Sequence, residues 1–225
     1  MEASIASDVA STLALADWRR TIAGLYTDVR RLAADDPGTA LELWRSTRER
    51  LYREHPQSPV PEAARPTFEA HHFDHDPALR FEVVVDEPAR AGPDRDTAPG
   101  FGGLSIELAV SAGGAMAFTR FGAVTIPFAS GPRRLEIYWM QGYAGGLFLP
   151  FRDATNGRET YGAGRYLLDA AKGADLGSGR APGSLILDFN FAFQPSCAFD
   201  PKWACPLAPP ANRLDLEVRA GERLA

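Results

Sequence analysis

Two polar residues stand inside an aromatic run near the carboxyl end of this chain: Asp188 and Asn190 in Leu185-Ile-Leu-Asp-Phe-Asn-Phe-Ala-Phe193. Successive side chains of an extended strand point to opposite faces. Leu185, Leu187, Phe189, Phe191 and Phe193 then share one face, and Ile186, Asp188, Asn190 and Ala192 the other. At ~3.3 Å per residue the carboxylate and the amide lie roughly 7 Å apart along the strand. If that face is enclosed, both need hydrogen-bond partners, because an unpaired buried charge is very costly. Two fates are open to them, structural pairing or the lining of a ligand pocket. In a pocket Asp188 would serve as general acid or base.

The run Phe151-Arg-Asp153-Ala-Thr155-Asn-Gly157-Arg-Glu-Thr160-Tyr161-Gly-Ala-Gly164-Arg165-Tyr166 supplies partners. Tyr161 and Arg165 have the same parity and would point to one face of a strand. Together they can hold a carboxylate or a phosphate through charge-assisted hydrogen bonds, with Arg165 stabilising negative charge in an enzyme. Arg165 can equally neutralise Asp188 or Asp153. Asp153 and Thr155 either contact the ligand or only brace the turn. Asn156-Gly157 is a preferred centre for a tight hairpin turn.

Both cysteines, Cys197 and Cys205, follow within a proline-rich segment that ends near Asn212. Seven residues separate them, unlike the close spacing of zinc knuckles and redox pairs. Burial as small hydrophobes is the favoured fate. A disulfide, a zinc site with two distant partners and a nucleophilic thiol are the weaker alternatives, the last because no histidine is near in sequence. His71, His72 and His75 cluster with Asp74 and Asp76, but Ala70 stands where a His-x-His-x-Asp-His metal motif would begin. A solvated or hydrogen-bonded turn is expected there, and no metal site is assigned.

The elements that must position these residues are read from periodicity. Trp18, Ile22, Leu25, Val29 and Leu32 repeat at helical spacing. Asp36-Pro37 then opens a second helix with the stripe Leu41, Trp44, Leu51 and Tyr52, which His55-Pro56 should end. From residue 79 the pattern alternates, predicting strands over 79–85, 104–110, 115–121, 124–128, 135–139, 147–151, 185–193 and 213–219. Asp86 to Gly103, rich in Pro, Gly and charge, reads as a surface loop or a lid. The fold class is therefore mainly β with N-terminal helices (α+β), an antiparallel β-barrel or sandwich of about eight short strands. Residues 1–60 form a helical segment packed on the core, and 61–225 a β-barrel-like domain.

Composition narrows the function classes. With 24 Lys and Arg against 29 Asp and Glu, the net charge is −5, which argues against a general nucleic-acid binder. No apolar run approaches the ~18 residues of a membrane span. The acidic N-terminus lacks the basic start and apolar run of a secretory signal, so a cytoplasmic protein with reduced cysteines is expected. No Gly-x-Ser-x-Gly elbow, P-loop or dinucleotide fingerprint is present.

The run from Phe151 through Asp153, Thr155, Gly157, Thr160-Tyr161 and Gly164-Arg165-Tyr166-Leu167 carries a resemblance, together with Asp188-Phe-Asn190, Cys197-Ala-Phe199, Cys205-Pro-Leu207, Pro209-Pro210 and Asn212-Arg-Leu214. This set resembles the bacterial and archaeal family called domain of unknown function 1684. Its motifs cover about residues 147–222, and the likeness reaches more weakly to the helices around Trp18. The resemblance implies no activity. After Phe68 it leads one to expect hydrophobic or aromatic residues where His71 and His72 stand, so those histidines are poor candidates for a site common to the family.

The leading expectation is a small anionic molecule bound in a β-barrel pocket by Arg165, Tyr161, Asp188, Asn190, Asp153 and Thr155. The loop of Cys197, Cys205 and Asn212 would wall one side. A hydrolase or lyase using Asp188 and Arg165, a flavin-binding split barrel and a protein-interaction module are the alternatives. No cofactor is specified, and a homodimer is an open assembly state.

Overall fold

The computed structural model describes residues 2–86, 103–143 and 145–225, with side chains from residue 8 onward. The chain opens with α1 (Glu2–Leu32) and α2 (Pro37–Glu54). Ile22, Leu25 and Val29 are buried along α1, as their spacing requires, and Tyr26 joins them. Asp36 caps α2 by accepting the Thr39 backbone N–H at 3.0 Å, and Pro37 takes the first helical position, whose N–H needs no partner. The helix ends at His55, whose extended backbone is the conformation favoured before proline.

Nine strands follow among the described residues: β1 (His71–His72), β2 (Arg80–Asp86), β3 (Leu104–Ala109), β4 (Ala115–Phe128), β5 (Gly131–Met140), β6 (Gly146–Phe151), β7 (Arg165–Asp169), β8 (Ser184–Asp188) and β9 (Glu222–Arg223). The main sheet is antiparallel in the order β7-β6-β5-β4-β2-β8, with β3 beside the first half of β4. β1 and β9 pair separately. The two strands expected within 115–128 are one long strand. It bends at a register shift between Arg120 and Gly122 and passes from pairing with β3 to pairing with β2. Gly122 makes this possible, because a Cβ there would lie 2.5 Å from Val85 Cγ1 and 3.0 Å from the Asp86 carbonyl.

The bend curls the sheet into a half-barrel. Phe151 of β6 meets Phe189, just past β8, with ring centroids 5.2 Å apart, although three strands separate β6 from β8 along the sheet. Inside the curl lie Val124, Ile126, Leu135, Ile137, Leu149, Leu167 and Leu187. The other face, including Phe118 (before the β4 bulge), Tyr138, Phe148 and Tyr166, packs against α1 and α2 in a second cluster. Over β6 and β7 both faces of the sheet are thus buried, one by its own curvature and one by the helices.

Two strand expectations are corrected. Strand 185–193 stops at Asp188, because its carboxylate accepts the Asn190 backbone N–H at 3.0 Å and draws Phe189–Phe191 into a 3₁₀ turn. Residues 213–219 form no strand. The chain there runs beside 152–154, held by Leu214 N–H to the Arg152 carbonyl and Ala154 N–H to the Leu216 carbonyl. The Asn156-Gly157 pair does not centre a two-residue hairpin either. It belongs to a compact loop in which the Thr155 carbonyl accepts three successive N–H groups, from Arg158, Glu159 and Thr160. Of the expected loop or lid from Asp86 to Gly103, residues 87–102 lie outside the described residues.

Candidate functional site

Arg165 is fully buried, and its guanidinium is enclosed by protein acceptors. One terminal nitrogen donates to Asp153 Oδ2 and to the Val218 carbonyl, each at 2.7 Å. The other donates to the Ala220 carbonyl and, at 3.1 Å, to the Glu222 carbonyl. Phe151 covers the cation, 5.1 Å from its ring centroid. Asp153 is bound in turn by the Thr155 N–H at 2.6 Å and by the Thr155 hydroxyl. Gly221, at φ +75°, lets the last segment turn against the Ala192 carbonyl and present its own carbonyls to Arg165. Burial pulls the Arg165 pKa down, with Asp153 opposing the shift. Arg165, Asp153 and Thr155 are therefore brought together, but as a clamp on residues 218–222.

Asp188 and Asn190 form a separate cluster. Asp188 is 2% exposed and accepts both the backbone and the side-chain N–H of Asn190, with Arg80 3.7 Å away. Burial raises its pKa, and the Asn190 hydrogen bonds oppose the rise. Asn190 also exchanges two hydrogen bonds with the Asp76 backbone, at 2.9 and 2.8 Å, which fixes the entry to β2. Asn212 makes an equivalent brace. Its amide accepts from Glu136 N–H and donates to the Glu136 and Pro150 carbonyls, joining the last segment to β5 and β6. Tyr161 lies in the cluster that holds the cysteines, and burial pushes its phenol up to about 12. None of the clefts described below is lined by Arg165, Asp188, Asn190, Asp153, Thr155 or Tyr161.

A second buried cation is Arg48, which donates to Glu222 at 2.7 Å and to the Tyr52 hydroxyl between the rings of Trp44, Tyr52 and Phe193. Sequence reading missed it. Its signal was present in the spacing, since residue 48 lies one turn from both Trp44 and Tyr52 on the buried face of α2.

The side chains left available for a ligand lie elsewhere, between α1 and the 196–206 loop. A cleft of about 270 Å³ is lined there by Trp18, Arg19, Lys172, Ser196, Trp203 and Cys205. It adjoins a slot of about 140 Å³ floored by Met116, Phe118, Met140 and Phe148, and Arg19, Lys172 and Ala204 line both. Lys172 is half-exposed and pairs with the buried Asp169 at 3.1 Å, which raises its pKa. Arg19 has no ion-pair or hydrogen-bond partner among the described residues. It stands near enough to Lys172 to oppose that rise. Two cations, only Lys172 of them paired among the described residues, thus stand at the mouth of an apolar slot, an arrangement suited to an anion with an apolar body. A groove of about 380 Å³ beside Phe68, His71, Gln194 and Phe199 is larger. Its buried charge, Glu222, is already matched by Arg48.

No group of three or more His, Cys, Asp or Glu side chains with metal-binding geometry occurs among the described residues. No helix there is long and apolar enough to cross a membrane.

Comparison with known proteins gives a family model described as "protein of unknown function (DUF1684)", matching residues 68–223. The solution NMR structure of an uncharacterised protein from Haloarcula marismortui is similar at 31% identity and a TM-score of 0.56. The match covers 83% of this chain and 93% of that one. No curated protein matches the chain.

Proposed function

The chain belongs to the DUF1684 family, whose description assigns no activity, and we propose that it binds a small amphipathic anion between α1 and the half-barrel. Arg19 and Lys172 would hold the anionic head, and the slot of Met116, Phe118, Met140 and Phe148 the apolar body. The observation that carries this reading is Arg19, which has no ion-pair or hydrogen-bond partner among the described residues, beside Lys172 at the mouth of the apolar slot. Like charges held together without a matching acid are costly unless a ligand or solvent compensates them.

The reading keeps the expected ligand class and moves the site. Arg165 and Asp188, the pair an acid–base enzyme would have used, are buried, with both terminal nitrogens of Arg165 and Oδ1 of Asp188 bonded to protein. They support a scaffold role.

Octanoate is a suitable probe, with acetate and 1-octanol as controls for the head and the tail. Calorimetric titration should show saturable octanoate binding that weakens with added salt, as expected for a partly solvated ion pair. The controls should bind at least tenfold more weakly. The variant R19A, at an exposed position, should weaken binding at least tenfold while unfolding within ~1 kcal/mol of the parent, as surface substitutions do. Absence of saturable octanoate binding, or equal binding by R19A, would overturn the proposal.

A further inference from the structure

The slot of Met116, Phe118, Met140 and Phe148 is built on one face of three strands. Phe118 stands opposite Met140 across β4 and β5, and Met140 stands opposite Gly146 across β5 and β6. Met116 lies two residues before Phe118 on β4 and shares its face. The floor is backed by the Phe118 and Phe148 rings, stacked with centroids 5.1 Å apart. Gly146 has no side chain to fill the row beside Met140. A Cβ there would lie 2.5 Å from the Ala171 backbone nitrogen, so the glycine also lets the 3₁₀ turn Ala170–Lys172 sit on β6. That turn brings Lys172 to the slot. The remaining wall, Ala204 and Pro206, is pinned from two sides. The Pro206 carbonyl accepts the Tyr166 hydroxyl, and the next residue, Leu207, donates its N–H to the Ala109 carbonyl at 2.8 Å.

Three properties of the slot select among anions with an apolar body. Its volume is about 140 Å³, close to the ~150 Å³ of an apolar cavity that holds one benzene ring. Its walls are strands and a tethered loop, so its shape is set before a ligand arrives. A flat ring enters such a space without losing internal freedom, whereas an acyl chain must give up several torsions. The walls within reach of a ligand include two thioethers, Met116 at 37% exposure and the partly buried Met140. A thioether sulfur makes favourable contacts with the edge of an aromatic ring.

We propose, resting on the anion-binding reading of this cleft, that its ligand is a monocyclic aryl anion whose ring lies in the slot against Met116 and Met140. Arg19 and Lys172 line the slot as well as the cleft, so the anionic head sits close beside the ring, on a linker of one or two carbons. A longer acyl tail cannot enter whole and leaves its outer carbons in water.

The test is calorimetric titration of the full-length chain with 3-phenylpropanoate, 3-cyclohexylpropanoate and octanoate at one salt concentration. The phenyl compound should bind about tenfold more tightly than octanoate, whose chain loses torsional freedom on entry. It should bind about threefold or more tightly than the cyclohexyl compound, which has the same length and no aromatic edge. The variant M116L/M140L keeps the volume of both walls, and should erase the preference for phenyl over cyclohexyl while leaving octanoate affinity within about twofold. Should that variant fail to fold, the ranking of the three ligands by the parent decides the matter. Octanoate or the cyclohexyl compound binding as tightly as the phenyl compound would overturn the aryl assignment and leave the anion site standing. A phenyl preference unchanged in M116L/M140L would overturn the placement of the ring. Saturable binding by none of the three would remove the anion site itself, and this proposal with it.

Discussion

Replacing Arg165 by alanine separates a scaffold cation from a ligand-binding one. The substitution leaves the Asp153 carboxylate buried opposite no charge, and removing one partner of a buried pair costs about 3–5 kcal/mol. The Val218, Ala220 and Glu222 carbonyls lose donors as well. Each costs about 1–3 kcal/mol if it stays dry, and water entering the vacated space would offset part of that. A loss of about 4–6 kcal/mol results, a large share of the ~5–15 kcal/mol that holds a domain together. For a chain of 225 residues this lowers the melting temperature by roughly 10–20 °C. Urea unfolding followed by tryptophan fluorescence and far-UV circular dichroism would measure it. The double variant R165A/D153A should cost less than the two single losses added together, by ~1–3 kcal/mol, because both remove the same interaction. An R165A protein within 1 kcal/mol of the parent would refute the clamp, and its Arg165 would again be free to meet a ligand.

Two further outcomes follow from the same geometry. Asn212→Ala removes a buried amide that satisfies Glu136 N–H and the Glu136 and Pro150 carbonyls. It should cost about 2–4 kcal/mol, and a melting temperature unchanged within 2 °C would contradict that. Burial lowers the His72 imidazole from 6.5 to about 4, so the unfolded chain takes up its proton first. Stability from this residue is therefore present above pH 6.5 and is lost as pH falls toward 4, on the order of 1–2 kcal/mol after allowing for partial exposure. His72→Phe should retain more of its pH 7 urea midpoint at pH 4.5 than the parent does. Parallel losses in the two proteins would show that His72 is not the titrating group.

Alternation placed Asp188 and Asn190 on one strand face, yet the Asp188 carboxylate competes for the backbone and ends the strand before Asn190 is reached. Periodicity carries no information about that competition. Parity also paired Tyr161 with Arg165. The turn at Tyr161 to Gly164 separates them, sending Tyr161 to the cysteines and Arg165 into the core. His72 is a case where the local expectation of an aromatic position held a physical clue. The imidazole packs edge-on against Trp44, 5.7 Å away, and burial favours its neutral form.

The sequence by itself determined the helices, their cap at Asp36-Pro37, most of the strands, the class of the fold and its family. Each of these rests on short-range periods or on motifs that need no distant partner. Tertiary structure alone decided which charges are free. Arg165 is matched by carbonyls 53 to 57 residues away in sequence, and Arg48 by a carboxylate 174 residues away. Arg19, an ordinary charge on an amphipathic helix, is left without a partner among the described residues. Whether a charge is a strut or a ligand contact depends on what closes over it in space. That pairing comes from distant segments meeting in a low-dielectric interior, and no local pattern encodes it.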